Sequence, residues 1–325
     1  MNPPGPDSRR ALLAVGIALA SALFFTMTYV LNRASASGGG HWAWTASLRY
    51  LITLPLLLPL MPWQGGIRPV WRAILAHPWH WLRCGFIGFV LFYGLLSYAA
   101  SSGPSWLVAG SFQFTVIAGM LCSPFLYRDA RRRIPPAGLA VALLILSGVF
   151  LMQWGHGGGA LGPAAWAALV CVLGSAVAYP LGNRLLLLHL ERTGENLNAA
   201  QRVFGMTLAS QPLWLLAAVF AWREAGPPSV AHIGLAAGVA LSAGVIATIL
   251  FFQATGMVRR QPLALAAAEA MQAAELLFSM LLGAVFLGES WPHGLALAGA
   301  ALVMAGIMAF ALVAARAAGA GGVGD

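Results

Sequence analysis

The residues that could do chemistry lie together in one apolar stretch, Gln261–Glu289. The stretch is long enough to cross a membrane, yet it carries Glu269, Gln272 and Glu275. An acidic side chain near the centre of a bilayer costs about 2.5–3.5 kcal/mol, so two of them in one span indicate a function that needs them. A buried carboxyl group can exchange a proton or bind a cation, and these are the two chemistries that the stretch offers.

The spacing of the two glutamates decides whether they act as a pair. On one helix they would lie ~9 Å apart along the axis and ~120° apart around it, with Gln272 between them. A carboxylate dyad that shares one proton is therefore not expected. We predict a single principal carboxylate, the deeper Glu269, at which proton release competes with the binding of a cationic substrate. The alternative is that both glutamates only hold helices together, and Glu275 could do so by pairing with Arg49.

Other polar and aromatic side chains are candidates for the lining of a central cavity. Gln113 and Gln272 are amides that could face such a cavity or form hydrogen bonds between helices. Aromatic rings could bind lipophilic cations through cation–π contacts, although each ring alone is more often a packing or interface residue. The aromatic candidates are Tyr29, Tyr93, Trp106 and Tyr179.

Two arginines and two histidines complete the set of candidates. Arg49 and Arg202 fall just inside apolar stretches, and we interpret them as structural or gating charges. His77 and His80 are three residues apart, but the sequence offers no third ligand beside them. Neither a metal site nor a cofactor is predicted.

The composition identifies an integral membrane protein. Of the 325 residues, 60% are hydrophobic and only 8% are charged, whereas about a quarter of a soluble chain is charged. Long continuous apolar runs favour helices over the short alternating strands of a membrane barrel. Because the chain lacks the motifs of serine hydrolases and zinc proteases, an enzyme is only a distant alternative, as are a channel and a membrane scaffold.

Ten apolar segments have the length of about 20 residues that a membrane-spanning helix needs. They are Ala11–Asn32, Trp44–Met61, Trp81–Ala100, Ser105–Tyr127, Pro135–Trp154, Pro163–Arg184, Ala199–Trp222, Val230–Met257, Pro262–Leu287 and Pro292–Ala315. The segment Gly65–His80 is too polar to span, and its Trp, His and Arg residues favour a short helix in the headgroup region.

The arginines predict the orientation of these spans. Fourteen lie on one side of the predicted membrane and two, Arg33 and Arg223, lie on the other. The positive-inside rule then places both termini in the cytoplasm, which requires an even number of spans. We expect a multi-pass protein of the cytoplasmic (inner) membrane.

The two halves of the chain resemble each other. FTMTYVLNR (Phe25–Arg33) ends span one and SAVAYPLGNR (Ser175–Arg184) ends span six, while Gln113 lies opposite Gln272 at an offset of about 159. Each half has five spans, an odd number, so the second half enters from the opposite side. This predicts an all-α membrane protein of ten helices in two inverted five-helix repeats, the usual architecture of a secondary transporter. The predicted boundaries are a tail at 1–10, repeats at 11–155 and 163–315, and a tail at 316–325.

Several of these features resemble a known group of transporters. An arginine early in spans two and seven, a proline that begins spans four and nine, and Leu287-Gly288-Glu289 resemble the EamA-like branch of the drug/metabolite transporter superfamily. Within it, segments Asn32–Tyr50, Gly103–Gln113 and Gly148–Gln153 resemble the putative multidrug resistance efflux transporter family.

The resemblance implies a transporter that works by alternating access. The expected function is proton-coupled efflux of lipophilic or cationic small molecules, and the alternative is export of amino acids or other metabolites. The implied partners are a small-molecule substrate, a proton or other coupling ion and the lipid bilayer, with no nucleic acid. The four-helix exporters of the superfamily carry their essential carboxylate in helix one, where this chain has Thr26, Thr28, Tyr29 and Asn32 but no acid. A coupling carboxylate would therefore have moved to span nine.

Overall fold

The computed structural model describes residues 6–101, 103–128, 136–156, 162–258, 268 and 271–320. In this part of the chain every regular element is helical. Seven helical runs in it are long and apolar enough to cross a membrane: Leu12–Ser37, Trp42–Gln64, Pro78–Ala99, Leu139–His156, Pro163–Thr193, Ala199–Ala225 and Val230–Phe251. The prediction of an all-helical, multi-pass membrane protein is confirmed, whereas the count of ten spans and the two repeats stay predictions.

The α-helices are numbered in chain order. They are α1 (Pro6–Ser37), α2 (Trp42–Leu57), α3 (Arg68–Ala76), α4 (Pro78–Gly85), α5 (Phe92–Ala99), α6 (Ser105–Phe112), α7 (Thr115–Leu126), α8 (Pro136–His156), α9 (Pro163–Thr193), α10 (Ala199–Ala225), α11 (Val230–Val239), α12 (Thr248–Met257), α13 (Ala274–Leu287) and α14 (Gly294–Ala320). The described residues also form 3-10 helices at Leu58–Gln64 and Met271–Ala273 and π-helices at Phe86–Leu91 and Ala240–Ala247.

Some helices differ in length from the apolar segments that predicted them. Helix α9 continues nine residues past the predicted end at Arg184, because the residues that follow are mostly leucine and favour a helix. It ends at Gly194, whose φ of 71° is the left-handed conformation that closes many helices. The run of α11, π-helix and α12 covers Val230–Met257, as predicted for span eight.

Predicted span four is interrupted near its middle, and a 3-10 turn lies near the middle of predicted span nine. Span four divides into α6 and α7, and Gln113 lies at the junction as the C-cap of α6. In span nine a 3-10 turn that contains Gln272 precedes α13, while residues 261–267, 269 and 270 lie outside the described residues. Irregular backbone at membrane depth is tolerated only where protein or a cavity surrounds it. The two glutamines therefore mark the interior of the bundle.

The polar segment between α2 and α4 contains the short helix that its composition predicts. Helix α3 begins next to Pro69, which favours the first turn because proline lacks the N–H that this turn leaves unbonded. It buries Val70 and Ala73, whereas Trp71 and Leu75 are exposed. Helix α4 already begins at Pro78, inside the segment predicted to be interfacial.

Helices α1 and α9 each pack against a run of consecutive helical elements from the other half of the chain. Helix α1 contacts α11, the π-helix that follows it, α12 and α13. Helix α9 contacts α5, the π-helix that precedes it, α6 and α7. Helix α2 packs against α10, and α8 packs against α14.

Glycines bring α8 and α14 into backbone contact. A Cβ added to Gly148 would lie 2.8 Å from the carbonyl oxygen of Gly299, and one added to Gly299 would lie 2.6 Å from the backbone nitrogen of Met152. Gly155 and Gly306 follow seven residues after the first two. A Cβ on Gly155 would meet backbone atoms of Leu295 and Ala296, whereas one on Gly306 would meet the side chain of Ile145. Because seven residues make two turns, the glycines of each helix lie on one face. We call this contact the glycine seam.

A second close approach joins the π-helix Phe86–Leu91 to α9. A Cβ added to Gly88 would lie 3.1 Å from the Cα of Gly182. Helices that approach this closely need a small residue at the crossing point, as membrane helices often have.

Candidate functional site

Glu275 lies in the first turn of α13, and its side chain is buried, with 5% of the residue exposed. The positive end of the helix dipole favours an acidic side chain at this position. Its Oε2 accepts a hydrogen bond from the Tyr29 hydroxyl, at 3.0 Å. One turn earlier on α1, the Thr26 hydroxyl lies 3.5 Å from the backbone oxygen of Glu275. Packing of α1 on α13 therefore positions the phenol against the carboxylate.

Arg49 forms no salt bridge with Glu275 within 4.0 Å, so the ion pair that the sequence suggested between them is absent. The one salt bridge within 4.0 Å among the described residues joins Arg33 to Glu289. The guanidinium carbon of Arg49 lies 4.0 Å from the centre of the Tyr93 ring and 5.3 Å from that of Tyr50. The negative faces of these rings attract the cation in place of a carboxylate.

The surroundings of Arg49 leave hydrogen-bond donors without acceptors. Arg49 is 7% exposed, and its Nε and Nη1 have no hydrogen-bond partner among the described residues. The Tyr93 hydroxyl donates to Oδ1 of Asn32 at 2.8 Å, and Nδ2 of the same asparagine is buried without a partner. Three N–H-bearing nitrogens therefore surround Tyr93 without an acceptor from this part of the protein.

Aromatic side chains connect the Glu275 contact to the Arg49 contact. The rings of Tyr29 and Phe112 lie 6.3 Å apart, and Phe92 lies 4.8 Å from Tyr179. Phe112 lies 5.6 Å from Phe92, and Phe92 lies 5.8 Å from Tyr93, the ring that contacts Arg49. The acid and the cation thus belong to one buried group, which we call the central cluster. Its members are Tyr29, Asn32, Arg49, Tyr93, Tyr179 and Glu275.

Gln113 lies at the junction of α6 and α7, and Gln272 lies in the 3-10 turn before α13. Among the described residues, no hydrogen bond joins either glutamine to the central cluster. Oε1 of Gln113 and Nε2 of Gln272 are buried, and neither has a hydrogen-bond partner there. Both alternatives for these glutamines, the lining of a cavity and a hydrogen bond between helices, stay predictions.

Other predicted residues lie elsewhere. Trp106 is buried near the start of α6, where its ring packs edge-on against His156 at 5.7 Å. Arg202 is half-buried in the first turns of α10, about 18 Å along the helix from Trp214, which stacks on Tyr50. Glu269, the first-choice carboxylate, lies outside the described residues.

An acid that the sequence did not single out as a site residue, Glu289, organises the end of the bundle at which Arg33 lies. Its Oε1 accepts from the backbone N–H of Ser105 at 2.8 Å, and its Oε2 accepts from the Ser105 hydroxyl at 2.7 Å. Arg33 Nε lies 3.8 Å from the same carboxylate, and Arg33 Nη1 donates to the carbonyl of Ser101 at 3.3 Å. We call Arg33, Ser105 and Glu289 the end network.

The end network takes the place of a helix cap. The N-cap residue of α6 is Pro104, which has no side-chain acceptor, so the carboxylate of Glu289 bonds the first N–H of the helix instead. Gly288, with a φ of 63°, turns the chain after α13, and the Glu289 N–H then donates to the carbonyl of Gly283 at 3.1 Å. The sequence signal was Leu287-Gly288-Glu289, an acid directly after a helix-ending glycine.

An apolar groove of about 780 Å³ opens beside the central cluster. It lies between α2, the run of π-helix and α5, α9 and α10, and its walls include Trp42, Tyr98, Trp166 and Trp214. Trp214 also stacks on Tyr50 with ring centres 4.7 Å apart, so one tryptophan contacts both the groove and the rings beneath Arg49.

His189 of α9 lies against His77 and His80, the two histidines at the start of α4. The ring of His189 stacks on His80 at 4.5 Å and meets His77 edge-on at 4.7 Å. Stacked rings direct their nitrogens sideways rather than toward one point. The described residues contain no group of three or more potential ligands that could hold a metal ion.

Comparisons with known proteins agree with this architecture. A family model described as "Putative multidrug resistance efflux transporter" (EmrE) matches residues 11–316. The chain is 40% identical over 304 residues to the uncharacterized protein YjlA of Bacillus subtilis, covering 91% of this chain and 93% of that one. It is 36% identical over 255 residues to an uncharacterized 42.1 kDa protein of Shouchella clausii, covering 77% of this chain and 66% of that one.

A solved structure supports the fold. A crystal structure described without a function superposes with a TM-score of 0.62 over 94% of this chain and 98% of the other, at 18% identity. At that identity the likeness concerns the fold alone. The family model covers nearly the whole chain, and the protein therefore belongs to the putative multidrug resistance efflux transporter family.

Proposed function

We propose that the protein exports a small molecule across the cytoplasmic membrane in exchange for protons, and that Glu275 carries the coupling proton. The observation that carries the proposal is a buried carboxylate that bonds a tyrosine but has no cation beside it among the described residues. An isolated buried charge is unfavourable by several kcal/mol. A proton or a cationic group of the substrate would each remove that penalty.

Competition for one carboxylate provides the coupling. When the substrate binds, its positive group neutralises Glu275, and the proton must leave; when the proton binds, the substrate loses its partner. The Tyr29 hydroxyl can donate to the carboxylate in the first state and accept from the carboxyl O–H in the second. Tyr29 would thus hold the side chain in one orientation while its charge changes.

The pairing of helices supports the two inverted repeats that alternating access requires. Helix α1 packs on α11–α13 as α9 packs on α5–α7. A π-helix lies in each of the predicted spans three and eight, and an irregular turn with a glutamine lies in each of spans four and nine. Sites between repeats, formed by interrupted helices, are where many secondary transporters bind their substrates.

The end network would act as an outer gate that is closed in this conformation. The arginine distribution predicts that Arg33 and Glu289 face the outside. Their contacts join the ends of α1, α6 and α13, the helices nearest Glu275. Release of the substrate would require these contacts to break.

The experiment compares Glu275→Gln with Glu224→Gln in proteoliposomes that contain a trapped pH-sensitive dye. Glu224 is exposed at the end of α10 and provides a matched control. The probes are tetraphenylphosphonium and a panel of amino acids and amines. In the wild type and the control, at least one probe should move protons, whereas Glu275→Gln should move none although it remains folded and inserted in the membrane.

Two outcomes would change the proposal. If Glu275→Gln drives probe export against a gradient as well as the wild type does, Glu275 is not the coupling residue. If only Glu269→Gln abolishes proton movement, the coupling site is the residue that the sequence favoured.

Export of a small metabolite, rather than a lipophilic cation, is the second candidate function. It is favoured by the buried Arg49, which a site for simple cations would not need.

A further inference from the structure

The central cluster contains a buried positive charge that opposes the binding of a simple cation. Arg49 is 7% exposed and lies 4.0 Å from the centre of the Tyr93 ring. The Tyr93 hydroxyl bonds Asn32, which is three residues along α1 from Tyr29, the partner of Glu275. A guanidinium stays protonated in proteins, so this charge cannot be removed by titration. A monovalent cation that enters beside Glu275 would therefore also meet repulsion from Arg49.

The protein groups around Arg49 do not balance its charge. Contacts with the faces of Tyr93 and Tyr50 attract the cation. They do not replace the hydration that the buried ion loses, and two of its nitrogens have no acceptor among the described residues. The aromatic contacts alone are thus too weak, and an anion is the partner that this site lacks.

We infer that the transported molecule is a small zwitterion, whose anionic group binds Arg49 and Asn32 while its ammonium group binds Glu275. The inference rests on the proposed export function and adds the class of substrate. A carboxylate can accept two parallel hydrogen bonds from a guanidinium, and Nδ2 of Asn32 offers a third donor. With the zwitterion bound, each buried charge of the cluster would have a partner of opposite sign.

The hydrogen-bond partners of the two binding ends lie close together on α1. Tyr29, which bonds Glu275, and Asn32, which bonds Tyr93, are three residues apart on α1. Residues at this spacing lie on one face with Cβ atoms about 5–6 Å apart. The rings of Phe92 and Phe112, 5.6 Å apart, offer apolar contact to a side chain of the substrate. An amino acid with an apolar side chain has these properties.

The test uses triplets of related probes on the reconstituted full-length protein. Each triplet contains a zwitterion, its amide, which lacks the anion, and its deaminated acid, which lacks the cation. Triplets are built on phenylalanine, leucine and γ-aminobutyrate, and binding is measured by scintillation proximity. In at least one triplet the wild type should bind the zwitterion about tenfold or more tightly than either relative, as expected from the loss of one charge-assisted contact.

Variants of Arg49 then assign the anion site. Arg49→Gln should abolish the preference for the zwitterion over the amide, because it removes the anion site and also the repulsion that the cationic amide meets. Arg49→Lys, which keeps the charge but not the bidentate geometry, should fall between. Arg223→Gln, at an exposed position near the end of α10, is the matched control and should behave as the wild type. Size-exclusion profiles show whether each variant is folded, and the graded result for lysine keeps the test valid if glutamine is not tolerated.

Failure of this inference differs from failure of the export function. If the amide binds as tightly as the zwitterion in every triplet, if no triplet binds, or if Arg49→Lys keeps the full preference, the zwitterion inference is wrong. Proton movement driven by tetraphenylphosphonium and lost in Glu275→Gln would still support proton-coupled export in that case. If Glu275→Gln instead moves protons normally with a bound zwitterion, the substrate class holds and the coupling proposal fails.

Discussion

Replacement of Glu289 with alanine should open the end network without unfolding the bundle. The carboxylate bonds both the backbone N–H and the hydroxyl of Ser105 and lies 3.8 Å from Arg33. Alanine removes all three contacts and leaves the first turn of α6 without an acceptor. Glutamine keeps an acceptor for the N–H and a donor for the hydroxyl, so it removes only the charge.

The three contacts of Glu289 determine how far its replacement should shift the equilibrium toward the open end network. Loss of a helix cap costs about 1 kcal/mol, and a hydrogen bond from a hydroxyl to a carboxylate is worth about 1.5–3 kcal/mol. The Arg33 pair adds less than about 1 kcal/mol, because 29% of the arginine side chain is exposed and the pair is long. Alanine should therefore favour the open end by about 3 kcal/mol, or roughly a hundredfold in population, and glutamine by about 1 kcal/mol.

Hydrogen exchange measured by mass spectrometry can detect this change in the peptide that covers residues 103–112. The Ser105 amide should exchange up to about a hundredfold faster in Glu289→Ala and several-fold faster in Glu289→Gln. Glu224→Ala, an exposed acid elsewhere, is the control and should leave the peptide unchanged. If the peptide exchanges as slowly in folded Glu289→Ala protein as in the wild type, Glu289 does not hold this end of the bundle closed.

Two further pairs of substitutions test the packing of the helices. Gly182→Ala should destabilise the protein by about 3 kcal/mol, since its Cβ would meet backbone atoms of the facing π-helix that cannot move aside. Gly16→Ala, with nothing within 4 Å, should instead stabilise α1 by up to about 1 kcal/mol; equal thermal midpoints for the two variants would contradict the close approach. Tyr93→Phe should cost about 1 kcal/mol through the bond to Asn32 but keep the ring beneath Arg49, whereas Tyr93→Leu should cost about 2 kcal/mol more. Equal thermal stabilities of Tyr93→Phe and Tyr93→Leu would show that the cation does not depend on the ring.

Hydropathy predicted where the chain is helical because a membrane helix needs a fixed length of apolar residues. The run Val230–Met257 agrees with its prediction at both ends. The method could not predict the interruption at Gln113, because both α6 and α7 are apolar and a break between them does not change mean hydropathy. Nor could it predict that α9 continues to Thr193, since a helix can leave the membrane without ending.

The candidate site was predictable as a set of residues but not as a set of contacts. Glu275 is a candidate because it is an acid in an apolar span, and Tyr29 because it is an aromatic ring; only the packing of α1 on α13 shows that they bond each other. The sequence offers Glu275 as one possible partner of Arg49, since charge alone does not show that two tyrosine faces lie close to it. Glu289 was recognised as part of a family motif but not as a site residue, because an acid after a helix-ending glycine resembles an ordinary loop charge.

The glycine seam divides the molecule into parts that differ in their freedom to move. Closely packed backbones cannot slide or tilt past one another without steric overlap, so α8 and α14 should move as one rigid body. Conformational change must then occur in the helices that surround Glu275, which would move relative to this rigid pair. A chemical crosslink across α8 and α14 should therefore leave transport intact, and the pair offers a stationary frame for distance labels that report on the moving helices.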